Sequence, residues 1–333
     1  MKKWIPGAAG VVVVFVAIAA FYSTYAGNKP SLTPTNPPPP ATAQLPGRIV
    51  PENQSVPALA ATQPSATTAL VSGAPSVKLL AELRESKDWR AFALSARSRP
   101  EEGGRFYAMY VTNYCGMGIA GMPEVAREAI ANRVATTGTV TPPALEMTNK
   151  LSAYCAAFSS SEEATDLFKS VKDAAADNRD PLVAATKRAS AALDAKSEAE
   201  ATSAFKQLFA LGDPVAPYFN QMLNRAMRMS AKTDNREDLW FDGKLYSDVT
   251  QRTMLGLAVV AASCSAQAPC EIDIQMMLGC LGGQFCTDSR QDYLRHLYVV
   301  PNGLTDAQFA EGLTLAGRVQ TRVAERRADA FLR

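Results

Sequence analysis

Six cysteines are the residues of this chain whose type and number point most directly to a chemistry. The set is even, and gaps of five, nine and five residues separate the last four. In an oxidising compartment, an even set of cysteines is typical of disulfide bonds. Turn-forming stretches at 265–269 and 281–285 favour bonds that close two small loops and leave the first two thiols for each other. The predicted pairs are Cys115–Cys155, Cys264–Cys270 and Cys280–Cys286.

Zinc binding by the last four thiols is the alternative to two short-loop disulfides. Structural zinc sites usually place two to four residues between paired cysteines, whereas both short gaps here contain five. Redox catalysis through a dithiol has less support still, because the chain has no Cys-x-x-Cys sequence. We therefore predict structural disulfides, and neither a metal nor a cofactor.

The sequence contains few candidate residues for other kinds of catalysis. The single histidine, His296, excludes any metal motif that needs two histidines, and no Gly-x-Ser-x-Gly sequence or glycine-rich nucleotide-binding motif occurs. Adjacent carboxylates are candidates by type for a glycosidase, which needs two acids at a set separation. Each pair lies near a predicted helix start, however, where acids complement the helix dipole. The pairs are Glu101-Glu102, Glu162-Glu163 and Glu237-Asp238.

Trp240 and Phe241 are the candidate partner-binding residues. These two large aromatic side chains stand beside an Asp242-Gly243 turn signal, and such side chains often anchor protein interfaces. The alternative is that they pack in the core and staple the next helix, which the burial preference of aromatic residues favours. Trp89 has the same two interpretations, and the core is again favoured.

The elements that position these residues are predicted to be helices. Over residues 161–178 the apolar side chains recur three and four positions apart, which is the pattern of an amphipathic helix. Capping boxes at Ser160, Ser197 and Thr305 mark helix starts. One long helix is expected over residues 305–331, and no stretch has the sustained alternation of a half-buried strand. The predicted fold class is therefore all-α, with about ten to twelve helices packed in pairs.

Asp-Pro pairs open two of the predicted helices. Asp180-Pro181 and Asp213-Pro214 lie 33 residues apart, and each combines a good N-cap with a proline suited to the first helical position. Because helix-pair repeats have periods of about 34 to 40-odd residues, residues 151–224 resemble the Sel1-like and tetratricopeptide-like class of helical repeats. This resemblance implies an array of packed helix hairpins that is partly solenoid-like. An irregular helical bundle is the alternative.

The first 26 residues predict export. Lys2 and Lys3 precede an apolar stretch, residues 4–22, that contains no charged residue. Its 19 residues are long for a cleaved signal peptide and suffice to cross a bilayer core of about 30 Å. We favour a signal anchor that crosses the bacterial inner membrane once and leaves the body in the periplasm. The alternative is a signal peptide cleaved after Ala26, which would release the body into the periplasm or medium.

A proline-rich linker, residues 27–76, follows this segment and contains 11 of the 21 prolines. It has three charged residues and few large apolar ones, so it is predicted to remain disordered. Residues 77–333 form the predicted disulfide-bonded helical domain. Without Lys2 and Lys3 the chain carries 32 basic and 32 acidic residues, and it has no basic block with interleaved aromatics. This balance argues against nucleic acid as a partner.

These features favour a protein that is not an enzyme. We expect a membrane-tethered scaffold or adaptor that binds a protein or an envelope polymer, because helix-pair stacks offer long concave faces. The alternatives are an exported hydrolase that uses carboxylates on the cell envelope and a purely structural spacer. Residues 103–108 and 154–158 are also similar to pieces of uncharacterised exported bacterial helical proteins, a resemblance that implies no activity.

Overall fold

The computed structural model is mostly helical, with one small β-hairpin. The all-α prediction is therefore confirmed in its main part. The predicted membrane segment, residues 4–22, lies outside the described residues, and within them no helix combines the length and apolar character needed to cross a membrane. The described residues are 74–116, 146, 149, 153–174, 178–235, 237–267, 270, 272–276, 285 and 287–333.

Ten α-helices and two strands have bounds within this part of the chain, together with three short 3-10 helices. The first α-helix begins two residues before the predicted start of the body. The α-helices are α1 (Pro75–Glu85), α2 (Trp89–Ala96), α3 (Gly104–Tyr114), α4 (Ser161–Ala174), α5 (Pro181–Asp194), α6 (Glu198–Ala210), α7 (Met222–Ala231), α8 (Val249–Ala266), α9 (Arg290–Tyr298) and α10 (Asp306–Ala324). The strands are β1 (Leu239–Phe241) and β2 (Lys244–Tyr246), and the 3-10 helices are Pro100–Glu102, Ala216–Gln221 and Ala328–Ala330.

Side-chain caps explain where several helices begin. The capping box at Thr305 is confirmed, because its hydroxyl accepts the Gln308 N–H at 3.2 Å and Gln308 Oε1 accepts the Thr305 N–H at 2.8 Å. At Ser160 only one half forms, since the Glu163 N–H donates to the serine hydroxyl at 3.2 Å and the Glu163 carboxylate bonds to the residue before the cap. The box predicted at Ser197 is wrong, because that side chain makes no cap hydrogen bond although α6 begins at the next residue.

One large hydrophobic core joins most of these elements. Consecutive helices are often neighbours: α2 packs on α3, α3 on α4, and α5 on α6. The most extensive helix contact instead joins α8 to α10, and a smaller apolar cluster involves α8, α9 and α10. Trp89 is fully buried, as favoured from the sequence, and its ring stacks on that of Tyr154 with centroids 4.8 Å apart.

A β-hairpin lies between α7 and α8, where the sequence was expected to contain no strand. β1 and β2 pair antiparallel, with Trp240 opposite Leu245. The loop residues Asp242 and Gly243 have φ values of 51° and 83°. Positive φ at both positions is typical of a type I′ turn, whose twist suits a two-residue hairpin loop. The expectation was wrong because three-residue strands are too short for apolar alternation to become visible, although Asp-Gly between apolar residues is itself a hairpin signal.

Helix α10 ends earlier than predicted. The helix expected to continue to Phe331 ends at Ala324, and Arg326 then adopts a left-handed φ of 58°. This turn allows the Phe331 ring to lie fully buried, with its centroid 5.6 Å from that of Phe209 and 5.2 Å from that of Phe241. Burying such a side chain contributes about 1.5–3 kcal/mol, which offsets the cost of about 1–2 kcal/mol for a left-handed residue that is not glycine.

Disulfides tie two parts of the fold together. The Cys115–Cys155 bond joins the end of α3 to the segment that precedes α4, with Cα atoms 5.6 Å apart. The Cys264–Cys270 bond closes a short loop at the end of α8, with Cα atoms 5.0 Å apart. Both are pairs predicted from the sequence. The third predicted pair, Cys280–Cys286, lies outside the described residues.

Gly104 lies where the start of α3 passes close to the backbone of α2. A Cβ atom at this position would stand 1.9 Å from the carbonyl oxygen of Ala96. We expect Gly104→Ala to lower the free energy of unfolding by about 3 kcal/mol, because the backbone must move to admit the methyl group. Gly317→Ala in α10 is the matched control, since its Cβ would meet nothing within 4 Å and alanine favours a helix by about 1 kcal/mol over glycine. Urea unfolding measures both effects, and a Gly104→Ala protein as stable as the parent would contradict the close contact.

Candidate functional site

Two buried carboxylates hold the start of α3. Asp180 Oδ2 accepts the backbone N–H groups of Arg105 at 2.8 Å and Phe106 at 3.1 Å, while Oδ1 caps α5 by accepting the N–H of Val183 at 2.9 Å. Asp180 is fully buried. Burial raises the pKa of its carboxyl, and the backbone donors act in the opposite direction. This side chain therefore links the starts of α3 and α5 through hydrogen bonds.

Asp213 also links α3 to another part of the chain through hydrogen bonds. Its Oδ2 accepts the Tyr107 hydroxyl at 2.7 Å, and its Oδ1 accepts the N–H groups of Val215 at 2.9 Å and Ala216 at 2.8 Å. Burial and the nearby Asp213 charge raise the pKa of Tyr107 well above its ordinary value. The Asp213-Pro214 pair does not open the predicted α-helix, because the next element is a 3-10 helix that begins at Ala216 with Val215 as its N-cap. Both Asp-Pro pairs thus anchor α3, a contact that their spacing in the sequence does not indicate.

The adjacent carboxylate pairs occupy structural positions. One pair lies in the first turn of α4 and another in the 3-10 helix at residues 100–102, where acids complement the helix dipole. In the third pair, Asp238 Oδ1 accepts from Arg252 Nη1 at 2.9 Å and from Asn235 Nδ2 at 2.7 Å, and Glu237 accepts from Arg252 Nη2 at 3.2 Å. These contacts brace the loop that leads into β1.

His296 packs against an aromatic ring. It stacks on Phe285 with ring centroids 4.3 Å apart and planes within 10°. This contact gives the single histidine a packing role. Among the described residues, no group of three or more histidine, cysteine or acidic side chains could hold a metal ion.

The hairpin separates the two predicted partner-binding aromatics, because successive side chains of a strand point to opposite faces. Phe241 is fully buried in the main core together with Leu239 and Tyr246. Phe241 therefore belongs to the core, the interpretation that the burial preference of aromatic residues favoured, and is not exposed to a partner. Trp240 lies on the other face, opposite Leu245, and both side chains are half-buried.

Arg333 covers the ring of Trp240. Its Cζ atom lies 4.8 Å from the ring centroid, within cation–π range, and its backbone N–H donates to Ser230 Oγ at 3.1 Å. Within the described part of the chain, the buried indole N–H of Trp240 has no acceptor and the Arg333 guanidinium forms no ion pair. The indole N–H is therefore a buried donor without an acceptor, on a ring covered by an exposed guanidinium.

Further cations surround the tip of the hairpin. Asp242 accepts from Arg322 Nε at 3.0 Å and from Arg318 Nη2 at 2.7 Å, and the two guanidinium groups lower the pKa of its carboxyl. Arg322 also donates to Glu325 at 2.7 Å. Lys244 is exposed, with its Nζ atom 4.8 Å from the ring centroid of the neighbouring tyrosine on the same strand.

We define the hairpin surface by the exposed or half-buried side chains on the Trp240 face of the hairpin. Arg333 shares this face, whereas Lys244 stands opposite Phe241 and the Arg318 Cζ atom lies 5.9 Å from the centroid of the Phe241 ring. Tryptophan and arginine are enriched among the residues that dominate binding energy in protein interfaces. The hairpin surface consists of Trp240, Leu245 and Arg333.

A shallow concavity of about 400 Å³ lies at the start of α4, and Arg90, Phe158 and Glu163 are among the residues that line it. Glu163 accepts the Ser159 N–H at 2.7 Å and its hydroxyl at 2.8 Å, and Arg90 Nε donates to the other carboxylate oxygen at 2.6 Å. The backbone bond from Ser159 and the Arg90 guanidinium lower the pKa of Glu163 to about 2. The polar groups of this concavity are already paired with each other.

Glu163 should make stability depend on pH. Its pKa is about 2 in the fold against an ordinary value of 4.5, so its contribution is complete above about pH 4.5 and is lost as the pH falls towards 2. We expect Glu163→Gln to lower the melting temperature at neutral pH, and we expect the difference from the parent to shrink near pH 3. Thermal melts at both pH values measure this, with Glu200→Gln, an exposed acid in the first turn of α6, as the control. A difference that stays constant with pH would show that the ionised Glu163 is not the source.

No protein-family model matches the chain, and no curated protein or solved structure matches it significantly.

Proposed function

We propose that the protein is a membrane-tethered adaptor of the bacterial cell envelope, whose helical body binds a partner at the hairpin surface. One observation carries this proposal: the half-buried Trp240 has an unpaired indole N–H and lies beneath the unpaired guanidinium of Arg333. Buried donors in folded proteins are nearly always satisfied, and leaving one unsatisfied costs about 1–3 kcal/mol. A bound partner that supplies an acceptor would remove this cost.

The N-terminal region provides the tether in this proposal. The apolar stretch at residues 4–22 acts as the anchor, and residues 27–74, the part of the proline-rich linker that precedes α1, reach up to about 150 Å if they are extended as polyproline II. Two disulfides in the body support folding in an oxidising compartment, since such bonds rarely persist in the cytosol. The body can then reach partners outside the cytoplasmic membrane while it remains attached to that membrane.

The body is proposed to be partly solenoid-like over residues 151–224. Support comes from α5 and α6, which are consecutive and pack against each other as members of a helix-pair repeat do. The segment Ala328–Ala330 contacts α6, so the end of the chain covers one side of this pair. Catalysis is not part of the proposal, because the buried carboxylates Asp180 and Asp213 are committed to backbone N–H groups that the fold requires.

Site-specific photocrosslinking in intact cells tests the proposal. A photoreactive amino acid at Leu245 would report on the hairpin surface without removing Trp240, and the same group at Val300, which is 72% exposed, is the control. We expect a discrete higher-mass adduct from position 245, its loss in the Arg333→Ala background, and recovery of the protein in the membrane fraction. Equal labelling at both positions, or a cytosolic protein, would refute the adaptor.

A further inference from the structure

We infer that Asp273 and Arg290 are positioning residues for the Cys264–Cys270 disulfide. They hold the two cysteines together when the bond is reduced, so that the pair is a reversible dithiol–disulfide couple. The inference concerns the end of α8 and not the hairpin surface, and it does not depend on the proposed function. It follows from hydrogen bonds that connect the same two residues as the disulfide does.

A chain of hydrogen bonds runs between the two cysteines in parallel with their disulfide. Arg290 Nη1 donates to the carbonyl oxygen of Cys264 at 3.0 Å, and the Cys270 N–H donates to Asp273 Oδ2 at 2.8 Å. Arg290 also donates to both carboxylate oxygens of Asp273, from Nε to Oδ1 at 2.6 Å and from Nη2 to Oδ2 at 2.7 Å. We call these four bonds the carboxylate–guanidinium clamp. The clamp joins the two ends of the loop that the disulfide closes.

The central contact of the clamp is a strong form of ion pair. A guanidinium that binds a carboxylate through two parallel bonds makes charge-assisted hydrogen bonds, which are about twice as strong as neutral ones. The Asp273 side chain is only 15% exposed, so water and salt screen the pair in part. Arg290 is the first residue of α9, and Cys264 lies in the last turn of α8. The clamp therefore also fixes the start of one helix to the end of the other.

The clamp and the disulfide stabilise each other, because both require the same closed loop. In the reduced protein the clamp keeps the two cysteines near the Cα separation of 5.0 Å that they have when bonded, which raises the effective concentration of one thiol at the other. By thermodynamic linkage, the factor by which the clamp favours the disulfide equals the factor by which the disulfide favours the clamp. A couple held in this way closes again readily, and only a strong reductant opens it.

A dithiol is the class of reductant that fits this couple. One thiolate of the dithiol attacks a sulfur of the Cys264–Cys270 bond, and the other sulfur leaves as a thiolate that takes up a proton. The second thiol of the dithiol then displaces the remaining cysteine from the mixed disulfide. Two electrons and two protons pass to the cysteines, and the dithiol becomes a disulfide. Both cysteines are nearly or fully buried, so exchange is slow and its equilibrium is the quantity to compare.

Redox titration of the full-length protein tests the inference. The protein is equilibrated with mixtures of reduced and oxidised dithiothreitol, free thiols are alkylated, and mass spectrometry of the cysteine-bearing peptides gives the oxidised fraction of each pair. We expect Asp273→Asn and Arg290→Lys to make the Cys264–Cys270 bond about tenfold easier to reduce, which is about 30 mV for a two-electron couple. Arg290→Lys keeps the charge and loses the paired geometry.

Two controls accompany the titration. Arg295→Ala is the matched variant, because Arg295 also lies in α9 but forms its ion pair with the exposed Asp306, outside the clamp. Its Cys264–Cys270 couple should titrate like that of the parent. The Cys115–Cys155 bond in the same samples is the internal reference, and its reduction equilibrium should be unchanged in every variant.

Stability measurements separate positioning from ordinary support of the fold. Thermal melts of Asp273→Asn and Arg290→Lys report any general destabilisation. A lower melting temperature with an unchanged reduction equilibrium of the Cys264–Cys270 bond would overturn the positioning role. A Cys264→Ala/Cys270→Ala protein that fails to fold would show that the clamp cannot hold the loop without the bond, and it would overturn the reversible couple.

Discussion

Asp180→Ala is expected to lower the free energy of unfolding by about 4 kcal/mol, because the substitution removes one carboxylate that serves two helix starts. The N–H groups of Arg105, Phe106 and Val183 would all lose their acceptor inside a region closed to water. Each unsatisfied buried donor costs about 1–3 kcal/mol, and local relaxation recovers part of the total. Chemical denaturation followed by far-ultraviolet circular dichroism measures the loss.

Asp88→Ala is the matched control for this substitution. Asp88 is also an N-cap aspartate, but it is exposed and its Oδ1 accepts one N–H, from Ala91 at 2.9 Å. Its removal should cost about 1 kcal/mol, the usual value for an exposed cap. Asp180→Asn should fall between the two alanine variants, since the amide keeps one acceptor oxygen. Equal losses for Asp180→Ala and Asp88→Ala would show that Asp180 does not join two helices.

Loss of the Cys115–Cys155 bond is the second large effect that we expect. The two cysteines are 40 residues apart, and the entropy of closing such a loop in the unfolded chain corresponds to about 4 kcal/mol. The bond also lies next to a buried aromatic cluster, since Tyr154 stacks on Trp89 and the edge of Tyr114 meets the same ring with centroids 5.5 Å apart. The double variant Cys115→Ala/Cys155→Ala should therefore melt at a much lower temperature than the parent.

The Cys264–Cys270 bond provides an internal control. Its cysteines are six residues apart, so its removal by the same double alanine substitution should cost only about 2 kcal/mol. All four sulfurs are nearly or fully buried, so the cavity left by each substitution is similar and the difference reports mainly on loop length. Urea unfolding of the two double variants measures this difference. Equal destabilisation would mean that loop entropy is not what distinguishes the two bonds.

In the hairpin, a turn signal is present in the sequence but does not suffice to predict the two strands. The Asp242-Gly243 pair predicts a tight turn because both residues tolerate positive φ, and the structure has positive φ at both. The flanking strands have only three residues each, so no alternation separated a hairpin from a turn before a helix. Which of the two aromatics is buried then depends on register, since a shift of one residue would exchange Trp240 and Phe241 between the faces.

Features that depend on neighbours within a few positions could be predicted from the order of the residues. Periodic apolar residues predicted the helices, Thr305 and its capping box predicted the start of α10, and the short loop between Cys264 and Cys270 predicted their bond. In each case the interacting groups are close along the chain, so residue type and spacing carry the information. The same holds for the aspartate cap of α5.

Contacts between groups that are distant along the chain became visible in the folded protein. Asp180 reaches backbone N–H groups 75 and 74 residues earlier, and Arg333 is placed on Trp240 from the far end of α10 and its following turn. No local pattern encodes these contacts, because they depend on how helices of fixed length pack around a shared core. The candidate binding surface belongs to this second class: its residues become one site when the hairpin and the last residues of the chain fold against α7.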